Sequence, residues 1–93
     1  MNDHLLVTTT VHSREAAIEL LRSAVRAKLA ASGQVLGPAV SVFWHKGDLE
    51  QSEEWQLSLR TTAARFEKLE AHLIEAHPWE NPEVTYMKID GAG

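Results

Sequence analysis

Hydrophobic spacing along this chain alternates between the two-residue period of a strand and the 3.6-residue period of a helix, in the order strand, helix, strand, strand, helix, strand. From His4 to Val11, Leu5, Val7, Thr9 and Val11 fall on one face and Leu6, Thr8 and Thr10 on the other, which predicts a strand well inside a sheet. Ser13 is a candidate N-cap with Glu15 in the first turn, and Ile18, Leu21, Val25 and Leu29 recur at helical spacing, predicting a helix that ends near Gly33. Gly37-Pro38 predicts a turn. After it Val40, Val42 and Trp44 alternate with Ser41, Phe43 and His45 as a second strand, and Lys46-Gly47-Asp48 opens a polar connection. Trp55, Leu57 and Leu59 alternate with Glu54, Gln56, Ser58 and Arg60, so one face of a third strand packs and the other meets water or a ligand; the two strands form an antiparallel hairpin. Thr62 is placed to cap a second helix with Phe66, Leu69, Leu73 and Ile74 as its buried stripe, and Pro78 stops it. A fourth strand runs from Val84 to Ile89, and Gly91-Ala92-Gly93 reads as a frayed end.

This order predicts an α+β fold, the ferredoxin-like β-α-β-β-α-β plait: a four-stranded antiparallel sheet with both helices on one face, as a single domain over residues 1–93. Phe43 and its neighbours then lie on the uncovered sheet face, and so small a core gains from a partner subunit.

Composition narrows the chemistry. With no cysteine, a metal would depend on the five histidines and the carboxylates. The formal charge of −4 and pI near 5.7 oppose nucleic-acid binding. No apolar run approaches the roughly 18 residues of a membrane span, and Met1-Asn2-Asp3-His4 lacks the pattern of a secretory signal, so the expected location is cytoplasmic. Phosphate-loop, zinc-helix and serine-nucleophile spacings are missing from the sequence.

His77-Pro78-Trp79-Glu80-Asn81-Pro82-Glu83 predicts a rigid polar turn, because two prolines restrict both themselves and their predecessors. His77 is the metal-ligand candidate there; at a helix C-terminus the dipole favours an imidazolium, which also gives it a purely structural reading. Glu80 and Glu83 are solvated turn residues or oxygen donors. His72 reads as a solvated helix residue, His4 and His12 as surface residues, and His45 as a strand-face residue near the glycine turn, with the lining of a pocket as its alternative. Trp55 reads as core, and one of Trp44 and Trp79 as touching another subunit.

Leu29-Ala30-Ala31, Ser41-Val42-Phe43, Lys46-Gly47, Glu54, Leu59-Arg60-Thr61 and His77-Pro78-Trp79 with Pro82-Glu83 occur in an order that resembles the CutA divalent-cation-tolerance family, from the first strand to Ile89. The resemblance implies a homotrimer, similar in architecture to PII signalling proteins, linked to tolerance of copper and other divalent cations and without an established enzymatic activity. The leading reading is a ligand cleft between subunits with His45, Lys46, Glu54, Arg60, Trp79 and Glu83 as candidates and His77 as the candidate metal ligand. The chain departs from the family pattern where Ser32-Gly33-Gln34 replaces Cys-Val-Asn, so a thiol suited to copper becomes a hydroxyl with little affinity for such metals. It also carries His45 for tryptophan, Arg60 for lysine and Trp79 for tyrosine. Family members usually continue past the position of Gly93 into a further strand and helix that help to close the trimer. The expectation is therefore an oligomer, more a binding protein than an enzyme, that binds a divalent cation weakly or a small ligand. Two rivals remain: an enzyme or accessory factor of specialised metabolism on the same fold, and a purely structural or partner-binding subunit.

Overall fold

The computed structural model describes residues 3–91. Six elements follow one another: β1 (His4–Val11), α1 (Arg14–Arg26), β2 (Ser32–His45), β3 (Asp48–Thr62), α2 (Ala63–Ala76) and β4 (Thr85–Ile89). The strands form one antiparallel sheet in the order β2-β3-β1-β4, with β1 and β3 in the centre. The plait and the central position of the first strand are as the sequence predicts. Part of the expected frayed end, Ala92-Gly93, lies outside the described residues.

Leu5, Val7 and Val11 of β1 and Leu57 and Leu59 of β3 form the sheet side of the core, which Ala17, Leu20 and Ala24 of α1 and Leu69 and Leu73 of α2 close from above. The first helix therefore meets the sheet one residue out of step with the stripe read from the sequence. Alanines 17 and 24 let its backbone come close, and Leu21, Val25 and Leu29 pack at the flank. Ile74, expected in the buried stripe of α2, is exposed, while Phe66 tilts against Tyr86 with ring centroids 4.7 Å apart.

Helix α1 begins as expected, with Ser13 Oγ accepting the Ala16 N–H at 3.1 Å. It ends seven residues before Gly33, at Arg26, because Lys28 turns left-handed (φ 63°). The Leu29 N–H then bonds the Ala24 carbonyl and the Lys28 N–H the Val25 carbonyl, which closes the last turn. At α2, Thr62 occupies the N-cap but makes no side-chain cap bond; the Ala63 N–H donates instead to the Asp3 carbonyl.

The largest difference lies in β2. Gly37-Pro38 does not precede a short strand; it sits inside a 14-residue one, as a register shift between Leu36 and Ala39 with a cis peptide bond. From Leu36 to Ala39 β2 advances three residues while β3 advances two, from Gln56 to Glu54, so the extra residue reverses which residues of β2 face the helices. The hairpin closes through Lys46 (φ 51°) and Gly47 (φ 84°), the positive pair that a two-residue type I′ turn requires, rather than through a longer polar connection.

Gly33 belongs to the sheet's close packing against α1. A Cβ there would stand 2.7 Å from the Ser58 carbonyl oxygen and 2.5 Å from Leu21 Cδ1, and the carbonyl is fixed in the ladder. Gly33→Ala is expected to cost about 1–3 kcal/mol through overpacking, read as a lower denaturation midpoint at unchanged slope.

Candidate functional site

β1 pairs with β3 only as far as Val11 opposite Trp55, and β4 pairs with β1 from Ile89 to Thr85. Beyond Trp55, residues 39–45 and 48–54 continue as a two-stranded ribbon, seven pairs from Ala39–Glu54 to His45–Asp48. At about 3.3 Å per residue the ribbon reaches roughly 20 Å beyond the four-stranded sheet, consistent with the 46 Å long axis of the molecule.

Strand alternation assigns every ribbon residue to a side. The odd residues of β3, including Leu57 and Leu59, face the helices; along the ribbon this side carries Leu49, Gln51 and Glu53 and, beyond the register shift, Val40, Val42 and Trp44. On β2 the apolar core face thus runs on past the point where helices cover it, while on β3 two polar side chains interrupt it. Trp44 is 74% exposed and Val42 61%. The opposite, helix-free side carries Arg60, Ser58, Gln56, Glu54, Ser52, Glu50 and Asp48 of β3, with Ser32, Gln34, Leu36, Ala39, Ser41, Phe43 and His45 of β2. Phe43 is on the uncovered face, as expected.

His45, Glu54 and Arg60 therefore share one face, but they do not converge within a single chain. Arg60 and Glu54 are six residues apart on β3, about 20 Å, and His45 with Lys46 lies at the ribbon tip a similar distance further on. Glu54 is held in place: its Oε1 accepts from Ser41 Oγ at 2.7 Å and its Oε2 from Ser52 Oγ at 3.2 Å. Neither serine was read as part of the site from sequence; Ser52 alternates with Glu54 along β3, whereas Ser41 joins them only through the β2–β3 register.

The proline turn packs at the end of β1 where the ribbon begins. Thr9 Oγ1 donates to the Glu83 carbonyl at 2.8 Å, so Glu83 contributes its backbone to the fold. His77 is buried, and its Nε2–H donates to the Thr10 carbonyl at 2.7 Å while Nδ1 accepts the Trp79 N–H at 3.0 Å. That pairing requires one proton, on Nε2, so in this arrangement the ring is a neutral pin between β1 and the turn rather than an imidazolium on the helix end. Both nitrogens are engaged, and a cation would have to displace one of these bonds. Trp79 is half-buried with its ring centroid 5.2 Å from that of His77.

His72, read as solvated, instead ties the helices together. Ser23 Oγ donates to the Leu20 carbonyl and accepts from His72 Nε2 at 2.9 Å. Among the described residues, no group of three or more His, Asp or Glu side chains stands close enough to hold a metal, and no helix is long and apolar enough to cross a membrane.

The family model for "CutA1 divalent ion tolerance protein" matches residues 5–93. The chain belongs to the CutA1 family. It is 28% identical over 89 residues to the divalent-cation tolerance protein CutA of Pectobacterium atrosepticum, covering 96% of this chain and 81% of that one. It is 31% identical over 85 residues to CutA of Citrobacter koseri, covering 91% and 74%. Among solved structures, CutA1 from Oryza sativa superposes with a TM-score of 0.94 at 28% identity, covering 98% of this chain and 84% of that one. Cut A1 from Thermus thermophilus gives 0.92 at 27%, covering 97% and 87%. CutA proteins are not confined to one compartment: an Arabidopsis thaliana relative is described as chloroplastic and one from Archaeoglobus fulgidus as periplasmic.

Proposed function

We propose that this CutA1-family chain is a cytoplasmic, non-enzymatic homotrimer that holds a divalent cation or a small ligand in clefts between subunits and contributes to divalent-cation tolerance, copper included. The observation that carries this reading is the ribbon. A two-stranded hairpin is marginal by itself in water, and here its helix-side face exposes Val40, Val42, Trp44 and Leu49. A second copy can cover that face, and a ribbon seated on a neighbour would bring His45 and Lys46 to groups from which they are far removed in their own chain. The spread of His45, Lys46, Glu54, Arg60, Trp79 and Glu83 over some 40 Å supports a site completed between subunits rather than within one.

In this reading Glu54, with both oxygens already accepting serine hydroxyls, presents its remaining lone pairs as a fixed anion. His77 takes a cation only by giving up the Trp79 N–H or the Thr10 carbonyl. Copper(II) affinity is therefore weak: with no thiolate, imidazole and carboxylate must compete with hydration. Calorimetric titration at neutral pH is expected to give a dissociation constant weaker than micromolar. His77→Ala should lower the melting temperature whether or not metal is present, since it leaves the Thr10 carbonyl and the Trp79 N–H without their partner, a loss of about 1–3 kcal/mol. Submicromolar binding that survives His77→Ala would overturn both the weakness and the ligand.

Native mass spectrometry of the purified protein tests the function directly. A trimer that retains a divalent cation supports the reading. A trimer that retains a small organic molecule unchanged supports it equally, a trimer that turns the retained molecule over points to the enzyme or accessory factor, and a trimer with neither cation nor ligand points to a structural subunit.

A further inference from the structure

On the helix-free face, Arg60 sits between Leu6 of β1 and Ser32 of β2, and one step along the sheet Ser58 sits between Thr8 and Gln34. Leu6, Ser32, Gly33, Gln34, Ser58 and Arg60 line a shallow depression of about 410 Å³. The guanidinium stands among hydroxyls, an amide and a leucine: none of Leu6, Thr8, Ser32, Gln34 and Ser58 carries a negative charge, and Glu54, a carboxylate on the same face of β3, is about 20 Å away. In a chain of net charge −4 this is a cationic patch surrounded by neutral hydrogen-bond donors.

The β2–β3 register brings Ser32, Gln34 and Arg60 to the same place. A hydroxyl, a carboxamide and a planar fork of donors match an oxyanion, with two parallel N–H bonds from the guanidinium and further donors from Ser32, Ser58 and Gln34. Ser32 and Arg60 are exposed, so the fork is reachable from solvent.

We infer that this depression is an oxyanion-binding site, Arg60 gripping a carboxylate or phosphate group of a small molecule and Ser32, Ser58 and Gln34 orienting it. The inference rests on the reading that this face binds a small ligand, and it names the chemical class of that ligand; its donors all come from one chain.

The test titrates succinate and inorganic phosphate, separately, into the full chain and into Arg60→Lys, Arg60→Gln and Ser32→Ala, followed by amide chemical shifts at fixed ionic strength. Saturable binding of either anion, with the largest shifts at residues 32–34 and 58–60, is expected. Arg60→Lys keeps the charge but loses the fork and should bind about tenfold more weakly; Arg60→Gln should bind more weakly still, and Ser32→Ala should show a smaller loss. Succinate binding alone identifies a carboxylate ligand, and phosphate binding alone a phosphorylated one. Failure of both anions to bind, or binding unaltered in Arg60→Gln, overturns the inference. Thermal melts of the variants establish that each is folded, and Arg60→Lys keeps the result decisive if Arg60→Gln is not. A monomeric wild-type chain that still binds the anion would sink the trimer and its intersubunit cleft while leaving this site standing; a trimer that binds cations but neither anion would do the reverse.

Discussion

Val42→Ser combined with Trp44→Ser is expected to convert the protein into a folded monomer. Both side chains stand on the helix-side face of the ribbon, where they are 61% and 74% exposed in the single chain. Covering a valine fully is worth roughly 1.5–3 kcal/mol, and an indole contributes more area still, so each interface of a trimer would lose several kcal/mol. The folded core does not share in the loss. It is built from Leu5, Val7, Val11, Leu57, Leu59, Leu69 and Leu73 with Ala17, Leu20 and Ala24 of α1, none of them in the ribbon. The double variant should therefore retain its far-ultraviolet circular dichroism and a cooperative melt while its mass by light scattering falls to that of one chain. An unchanged mass would show that this face is not what the partner covers.

Trp55→Ala is expected to destabilise the fold itself. Trp55 lies on the helix side opposite Val11, at the last pair of the four-stranded part, and packs against the core. Its indole also lies directly over Gly37, whose missing Cβ would stand 2.6 Å from Trp55 Cε3 and 2.8 Å from Cδ2. Removing a buried tryptophan costs roughly 3–5 kcal/mol; half-burial puts Trp55 near the lower end, still a large part of the roughly 5–15 kcal/mol that holds a domain. For a domain of this size the melting temperature should fall by more than about 10 °C at equal protein concentration. Trp79→Ala keeps the backbone N–H that His77 accepts and loses mainly the tilted ring contact, worth about 0.5–1.5 kcal/mol. If the two variants melt alike, Trp79 is as much a core residue as Trp55 and does not belong to a ligand cleft.

Much of the fold was legible because alternation and helical spacing report which side of an element is buried. Leu5, Val7, Leu57 and Leu59 could be placed that way, as could Leu69 and Leu73. What resisted is physical. Proline after glycine normally ends a strand, yet at Gly37-Pro38 it sits at a register shift that lets the strand continue; this hid the length of β2 and therefore the ribbon. Apolar spacing also selected Ile18, Leu21 and Val25 where Ala17, Leu20 and Ala24 are the buried set, because bulk suggests burial whereas close approach needs small side chains.

Of the candidate site, alternation placed Glu54 and Arg60 on the polar face of β3, but the β2–β3 register is what adds His45 to that face, and strand rise, not residue type, determines that the three are far apart. His77 carries the clearest lesson. A histidine beside a proline turn looks like a ligand in sequence, and only the positions of the Thr10 carbonyl and the Trp79 N–H, brought in by β1 and by the turn, reveal that its nitrogens already have partners. The depression at Arg60 was half legible: alternation placed the arginine on the polar face of β3, but Ser32 and Gln34 join it only through the β2–β3 register.

Light scattering after size exclusion at micromolar concentration reads the mass of the unmodified protein in solution. The expected mass is three times the 10.4 kDa of one chain, with the ribbon face covered by neighbouring copies. A single-chain mass that persists as concentration rises would rule out the trimer, and with it the cleft between subunits.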